Sequence, residues 1–227
     1  SPQTASQCCT TICECCLAER LVNIAATCDK TRYACLHPTG QQAVALFMHI
    51  VAFSINPLFP GSVMGGAPKH LHSIAVHLGE QGHNVTVLCT RRDISAVPFD
   101  WHENVHVLPI LPFRQPFPQP YAVPAYDLAA ALYHVGEHLR TADRFYMHDG
   151  EFLFPFAYQH IPTVVSLRDN VYPETLQGAF LFQGDRLILI SEYQRQYFVQ
   201  TAGRFFPGYA ARTTVIHNGL DWTHFKP

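Results

Sequence analysis

The sequence predicts a doubly wound α/β domain, a mostly parallel, Rossmann-like sheet with helices on both faces. Two observations carry that reading. His49 to Thr90 runs as an apolar strand, a glycine pair in a loop, an amphipathic helix and a second apolar strand, which is one βαβ unit. The same strand-then-helix rhythm continues to Ile216, and strands joined through helices pair in parallel with right-handed crossovers.

The elements follow in order. After the first strand, Gly65 and Gly66 open the loop and a helix begins at Pro68 and Lys69. Gly82 and His83 sit in the tight connection to the next strand, Gly82 as a left-handed helix cap and His83 as a satisfied polar neighbour. Val105 to Leu108 reads as a short strand. Pro109, Pro112, Pro116, Pro118, Pro120 and Pro124 then exclude helix and central strand. Phe113, Phe117 and Tyr121 in that stretch are either a binding lip or rings tucked onto the body. Asp127 to Arg140 carries Leu128, Ala131, Leu132, Val135 and Leu139 at helical spacing with one face buried. The remainder reads as strand 144–147, a helix near Glu151, strand 163–167, a segment from Pro173 to Leu181, strand 186–190, a helix from Glu192 capped by Ser191, and strand 213–216. Asn218 and Gly219 turn the chain after that last strand.

Composition narrows the partners. Hydrophobic residues make up 48% of the 227, enough for a real core, while charged residues are only 14% and the net charge is -2. That balance lacks the electrostatic footprint of a nucleic-acid or anionic-membrane binder. The apolar runs near Ile50, Val85, Val164 and Leu187 are strand-sized, so no membrane span is expected. Seven of the eight cysteines lie before residue 36, in a pattern that matches neither a disulfide framework nor a paired zinc knuckle. Residues 1–47 are therefore expected to be a non-domain or poorly ordered leader, with Met48 as the natural start. The domain is expected over 48–220, with 221–227 beginning an interdomain linker, and no metal is expected.

Candidate site residues are chosen by position. The amides of Gly65 and Gly66, at a helix start, are placed to meet a phosphate, and Lys69 adds charge there unless it is simply solvated. The spacing is not the dinucleotide fingerprint G-x-G-x-x-G, which counts against a nicotinamide-dependent dehydrogenase. His148 and Asp149 follow one strand, Arg168 and Asp169 another, so both pairs fall at carboxyl ends facing the cleft. Capping and loop roles remain the alternative for each. Asn170, Tyr172 and Glu174 follow on the next loop, and Ser191 lies at a third strand end.

Four stretches in this order resemble the N-terminal half of GT-B glycosyltransferases, and more closely the large retaining family 4. They are PLFPGSVMGGAPKHLHSIAVHLGEQGHNVTVLCT, RFYMHDGEFLFPFAYQHIPTVVSLRDNVYPE, LILISEYQRQYF and VIHNGLDWTHFKP. Gly65, Gly66, Gly82, His83, Val85, Val87, His148 and Asp169 match the family pattern, and Arg168 stands where the family often has histidine. The resemblance implies that a sugar passes from a nucleotide-sugar donor to an acceptor hydroxyl with retention, a hexosyltransferase-type reaction in carbohydrate biosynthesis. It implies catalytic roles for His148, Arg168 and Asp169, and substrate contacts from Gly65, Gly66, Lys69, Asp149, Asn170, Tyr172, Glu174 and Ser191. Asn218 and Gly219 become the hinge to a missing C-terminal Rossmann-like domain that holds the donor, without which the chain is expected to be inactive. The acceptor is a glycan, a lipid-linked carrier or a small molecule. No cofactor beyond the donor is implied, and the setting is cytoplasmic, with peripheral attachment at the inner membrane surface as an option. A permanently charged fork at Arg168 suits an anionic acceptor. The alternatives are a non-catalytic carbohydrate- or nucleotide-binding domain and a GT-B-shaped sugar-nucleotide epimerase, and the ending VIHNGLD favours transfer over the latter.

Overall fold

The computed structural model describes residues 47–61, 65–91, 97–112, 125–148, 160–168, 184–201 and 209–219. Eight strands form one sheet: β1 (His49–Pro57), β2 (Asn84–Thr90), β3 (Phe99–His102), β4 (Val105–Leu111), β5 (Arg144–His148), β6 (Thr163–Leu167), β7 (Arg186–Leu189) and β8 (Thr213–Val215). Their spatial order is β3-β4-β2-β1-β5-β6-β7-β8, with the switch in winding direction at β1. Every neighbouring pair is parallel except β3 with β4. The helices are α1 (Gly66–Glu80), α2 (Ala125–Leu139), α3 (Glu192–Thr201) and the short α4 (Tyr209–Arg212).

Strand residues alternate between two cores. Val51, Phe53, Phe145, Met147 and Val165 face the side covered by Val135 and Leu139 of α2 and Phe198 of α3. Ile50, Ala52, Val85, Val87 and Tyr146 face the side covered by Leu71, Ile74 and Leu78 of α1. Both faces of the sheet are thus packed, which is why these strands are apolar throughout instead of alternating. Each fully buried Leu, Ile, Val or Phe contributes about 1.5–3 kcal/mol relative to its exposed state.

The end of α1 shows how local chemistry sets the geometry. Gly82 adopts φ +86°, its N–H bonds to the Gly79 carbonyl at 2.9 Å, and the His83 N–H reaches the Leu78 carbonyl at 3.1 Å. That is a Schellman stop, requiring the left-handed region that glycine enters without strain. His83 is buried, and its Nδ1 accepts the Met48 N–H at 3.3 Å. Both residues take the structural parts expected of them.

The structure corrects several boundaries. The expected exclusion of Pro109 from a central strand fails: it lies within β4, in register with Cys89 of β2. The antiparallel neighbour β3 pairs only from Val105 to Val107, so beyond that point the strand has one partner and the missing N–H costs no ladder bond on the other side. β3 itself and the single turn α4 lack the apolar periodicity that reveals longer elements. α1 begins at Gly66, two residues before its proline, which fits proline's tolerance for a helix's first turn. The expected leader 1–47 apart from Phe47, the helix near Glu151, the 173–181 segment, the aromatics Phe113, Phe117 and Tyr121, and the linker 221–227 lie outside the described residues.

Candidate functional site

Three strands end side by side at a row of buried polar residues. In the register of β1, β5 and β6, Ser54 stands opposite His148, and His148 opposite Ser166. All three are fully buried. Side chains in register share a face, and Tyr146, two residues before His148, puts this row on the α1 side of the sheet. Arg168, two beyond Ser166, extends it past the end of β6. Above the row, α1 starts from Gly65 at φ +88°, a conformation essentially reserved for glycine. Its first turn carries no acidic side chain.

A run of hydrogen bonds links these elements. The Arg168 guanidinium donates through Nη1 to the Asn218 side-chain oxygen at 2.7 Å and through Nη2 to the Tyr146 hydroxyl at 3.2 Å. The Tyr146 hydroxyl lies 2.9 Å from His148 Nδ1, and His148 Nε2 lies 2.9 Å from the Ala67 carbonyl in the first turn of α1. A carbonyl only accepts, so Nε2 carries the proton and donates to Ala67, while Nδ1 accepts the tyrosine proton. The run therefore has one consistent direction, from Arg168 through Tyr146 and His148 to Ala67. It ties the ends of β5, β6 and β8 to the start of α1.

Electrostatics keep the imidazoles neutral. Burial, then the charge of Arg168, then His70 hold His148 well below the ordinary histidine range, against the opposing bond to Ala67. His70, stacked on His148 with ring centres 6.2 Å apart, is lowered to about 3 by burial and by Arg168. His70 Nδ1, Ser166 Oγ and Arg168 Nε are buried polar atoms near this row without a hydrogen-bond partner among the described residues. Such orphans cost about 1–3 kcal/mol each and call for an explanation.

Of the residues singled out from sequence, Gly65, Gly66, His148, Arg168 and Asn218 converge here. Both ring nitrogens of His148 are already engaged within the protein, so a sugar hydroxyl would have to displace Tyr146 or Ala67. Lys69 is exposed, its N–H bonding the Gly65 carbonyl at 3.3 Å. Ser191 caps α3: its hydroxyl accepts the Gln194 N–H at 3.0 Å, and Gln194 in turn accepts the Ile190 N–H and donates to Leu167. Gly219 follows Asn218 beyond β8. Asp149, Asp169, Asn170, Tyr172 and Glu174 lie outside the described residues. Tyr146, His70, Ser54 and Ser166 escape the sequence reading. Their signal is a polar residue interrupting an apolar run close to the strand's carboxyl end, and for His70 a polar residue on the buried face of α1. Among the described residues no cluster of His, Cys, Asp or Glu is arranged to hold a metal ion, and no helix is long and apolar enough to cross a membrane.

The comparisons agree with this geometry. The family model described as Glycosyltransferase Family 4 matches residues 64–223. A sucrose-phosphate synthase from Thermosynechococcus elongatus has a similar structure, with TM-score 0.59 and 14% identity over 79% of this chain and 50% of that one. A shorter chain of that synthase matches with TM-score 0.52 and 13% identity, over 77% of this chain and 91% of that one. At these identities the likeness is one of fold. The chain spans about half the length of the longer synthase chain, and no curated protein matches it in sequence.

Proposed function

The chain belongs to glycosyltransferase family 4, and from that premise we propose that it forms the acceptor-side half of an enzyme moving a sugar from a nucleotide-sugar donor to an acceptor hydroxyl with retention. The observation that supports this reading is the hydrogen-bonded run from Asn218 through Arg168, Tyr146 and His148 to Ala67. It lies outside the carboxyl ends of the parallel strands, where open α/β sheets hold their ligands. In the proposal, Gly65 and Gly66 let the donor diphosphate approach the backbone at the start of α1. Arg168 and Asp169 orient the sugars. His148 is a positioning residue, holding the first turn of α1 and the Tyr146 hydroxyl in place.

A second Rossmann-like domain binds the nucleotide, and Asn218 and Gly219 form the hinge to it. The acceptor oxygen attacks the anomeric carbon on the face from which the diphosphate departs, and a departing phosphate oxygen takes the acceptor's proton. Protein dipoles stabilise the charge that develops, so neither a carboxylate pair nor a cofactor is needed.

The test is the reading frame that carries this chain, purified and supplied with nucleotide sugars and hydroxyl acceptors, with the product's anomeric configuration read by NMR. Transfer that keeps the donor's configuration supports the proposal. Inversion, epimerisation without glycoside formation, or sugar binding without any turnover overturns it.

A further inference from the structure

The described part of the site holds a cation with no counter-ion. Arg168 is only 9% exposed, yet its two hydrogen bonds go to a phenol and an amide, both neutral, and its Nε has no partner. Among the described residues, the two histidines that feel its charge, His70 and His148, are held uncharged. The start of α1 adds the positive end of a helix dipole, with no acid in its first turn to offset it. Burying a guanidinium costs several kcal/mol unless an opposite charge compensates, and no carboxylate pairs with Arg168 among the described residues. Buried charges in proteins are as a rule paired, and an anionic ligand is a partner that would complete this one.

We infer that Arg168 recognises an oxyanion carried by the acceptor, a phosphate monoester, which takes the place of Asn218 on Nη1. This rests on the transferase reading only for the word acceptor. The route in is marked by exposure: Asn218 is exposed, whereas Tyr146 on the other Nη is 1% exposed. Exchange at Nη1 trades a neutral amide oxygen for a charged one, turning a bond with one charged partner into an ion pair that can be bidentate, and leaves Tyr146 and His148 undisturbed. His70 Nδ1 and Ser166 Oγ, buried and without partners on the same face, are the further groups available as the site reorganises around the anion. The exchange also frees the Asn218 side chain, so acceptor binding is felt at the turn following β8.

Calorimetric titration of the 227-residue chain with glucose 6-phosphate, glucose, inorganic phosphate and uridine diphosphate tests this. Glucose 6-phosphate is expected to bind at least about tenfold more tightly than glucose, the gain typical of one charge-assisted bond. Arg168→Gln should abolish that discrimination while leaving the uridine diphosphate affinity within about twofold. The variant removes a buried charge that no carboxylate pairs among the described residues and should melt no lower than the parent. If it fails to fold, the wild-type discrimination and an NMR shift of the Arg168 guanidinium and Asn218 amide signals on adding phosphate decide the matter. Equal affinities for glucose and its phosphate, unchanged discrimination in the variant, or a loss confined to uridine diphosphate would each overturn the inference; the last identifies the donor as the anion's source. Arg168-dependent phosphate discrimination in a protein that moves no sugar would leave this inference standing and remove the transferase reading alone.

Discussion

Replacing Tyr146 with phenylalanine removes a single oxygen and should be costly. That oxygen accepts from Arg168 Nη2 at 3.2 Å and sits 2.9 Å from His148 Nδ1, in a position 1% exposed. No cavity of consequence is made, so the transfer and packing terms stay small. What is lost is the partner of a charged donor and of a neutral acceptor, both inaccessible to water. At about 1–3 kcal/mol for each of the two groups left unsatisfied, the loss is about 2–6 kcal/mol. For a chain of this size that corresponds to roughly 5–25 °C in melting temperature. Urea unfolding of Tyr146→Phe against the parent measures it, with Tyr133→Phe, at a site 65% exposed, as the control that should be silent. A loss below about 1 kcal/mol would refute the reasoning, since it would mean that water, or a new acceptor for Arg168 and a new donor for His148, reaches the two groups.

Other expectations follow from the same structure. Gly79→Ala would ordinarily strengthen a helix by about 1 kcal/mol, but an added Cβ would stand 2.7 Å from Val105 Cγ2, so net destabilisation of about 1–3 kcal/mol is expected in urea unfolding. Ser191→Ala removes the cap that accepts the Gln194 N–H and should cost about 1 kcal/mol by the same measurement, without altering ligand affinity. His70 stays neutral in the folded chain down to about 3 but titrates near its ordinary value when unfolded, so the unfolded state binds more protons in between. Stability should therefore fall as pH drops from about 6.5 toward about 3, by up to about 1.4 kcal/mol per unit for this one group. His148 acts in the same direction, and His70→Leu should flatten the slope seen in denaturant midpoints between about pH 7 and about pH 5.

The row Ser54, His148 and Ser166 shows how far the chain can be read without coordinates. His148 is legible because it ends an apolar strand, and strand ends in a parallel sheet are where chemistry collects. Ser54 and Ser166 are not, because a serine inside a strand looks the same whether it faces a core, a neighbour or a ligand. Arg168 is legible as a charge at a strand end. That its partners are the phenol of Tyr146 and the amide of Asn218, fifty residues further on, is a matter of register across β5, β6, β7 and β8.

By itself the sequence determined the alternation of strands and helices, the glycine stop at Gly82 and the family to which the chain belongs. These follow from local periodicity and from backbone conformations that few residues adopt. Only the tertiary structure decided that β3 closes the sheet as an antiparallel edge, that Pro109 is tolerated in β4, and that His148 is spent on Ala67 and Tyr146 instead of facing open solvent. Those outcomes depend on which strands lie side by side and on what is shut away from water, and contacts between residues far apart in the chain leave no periodic trace in it.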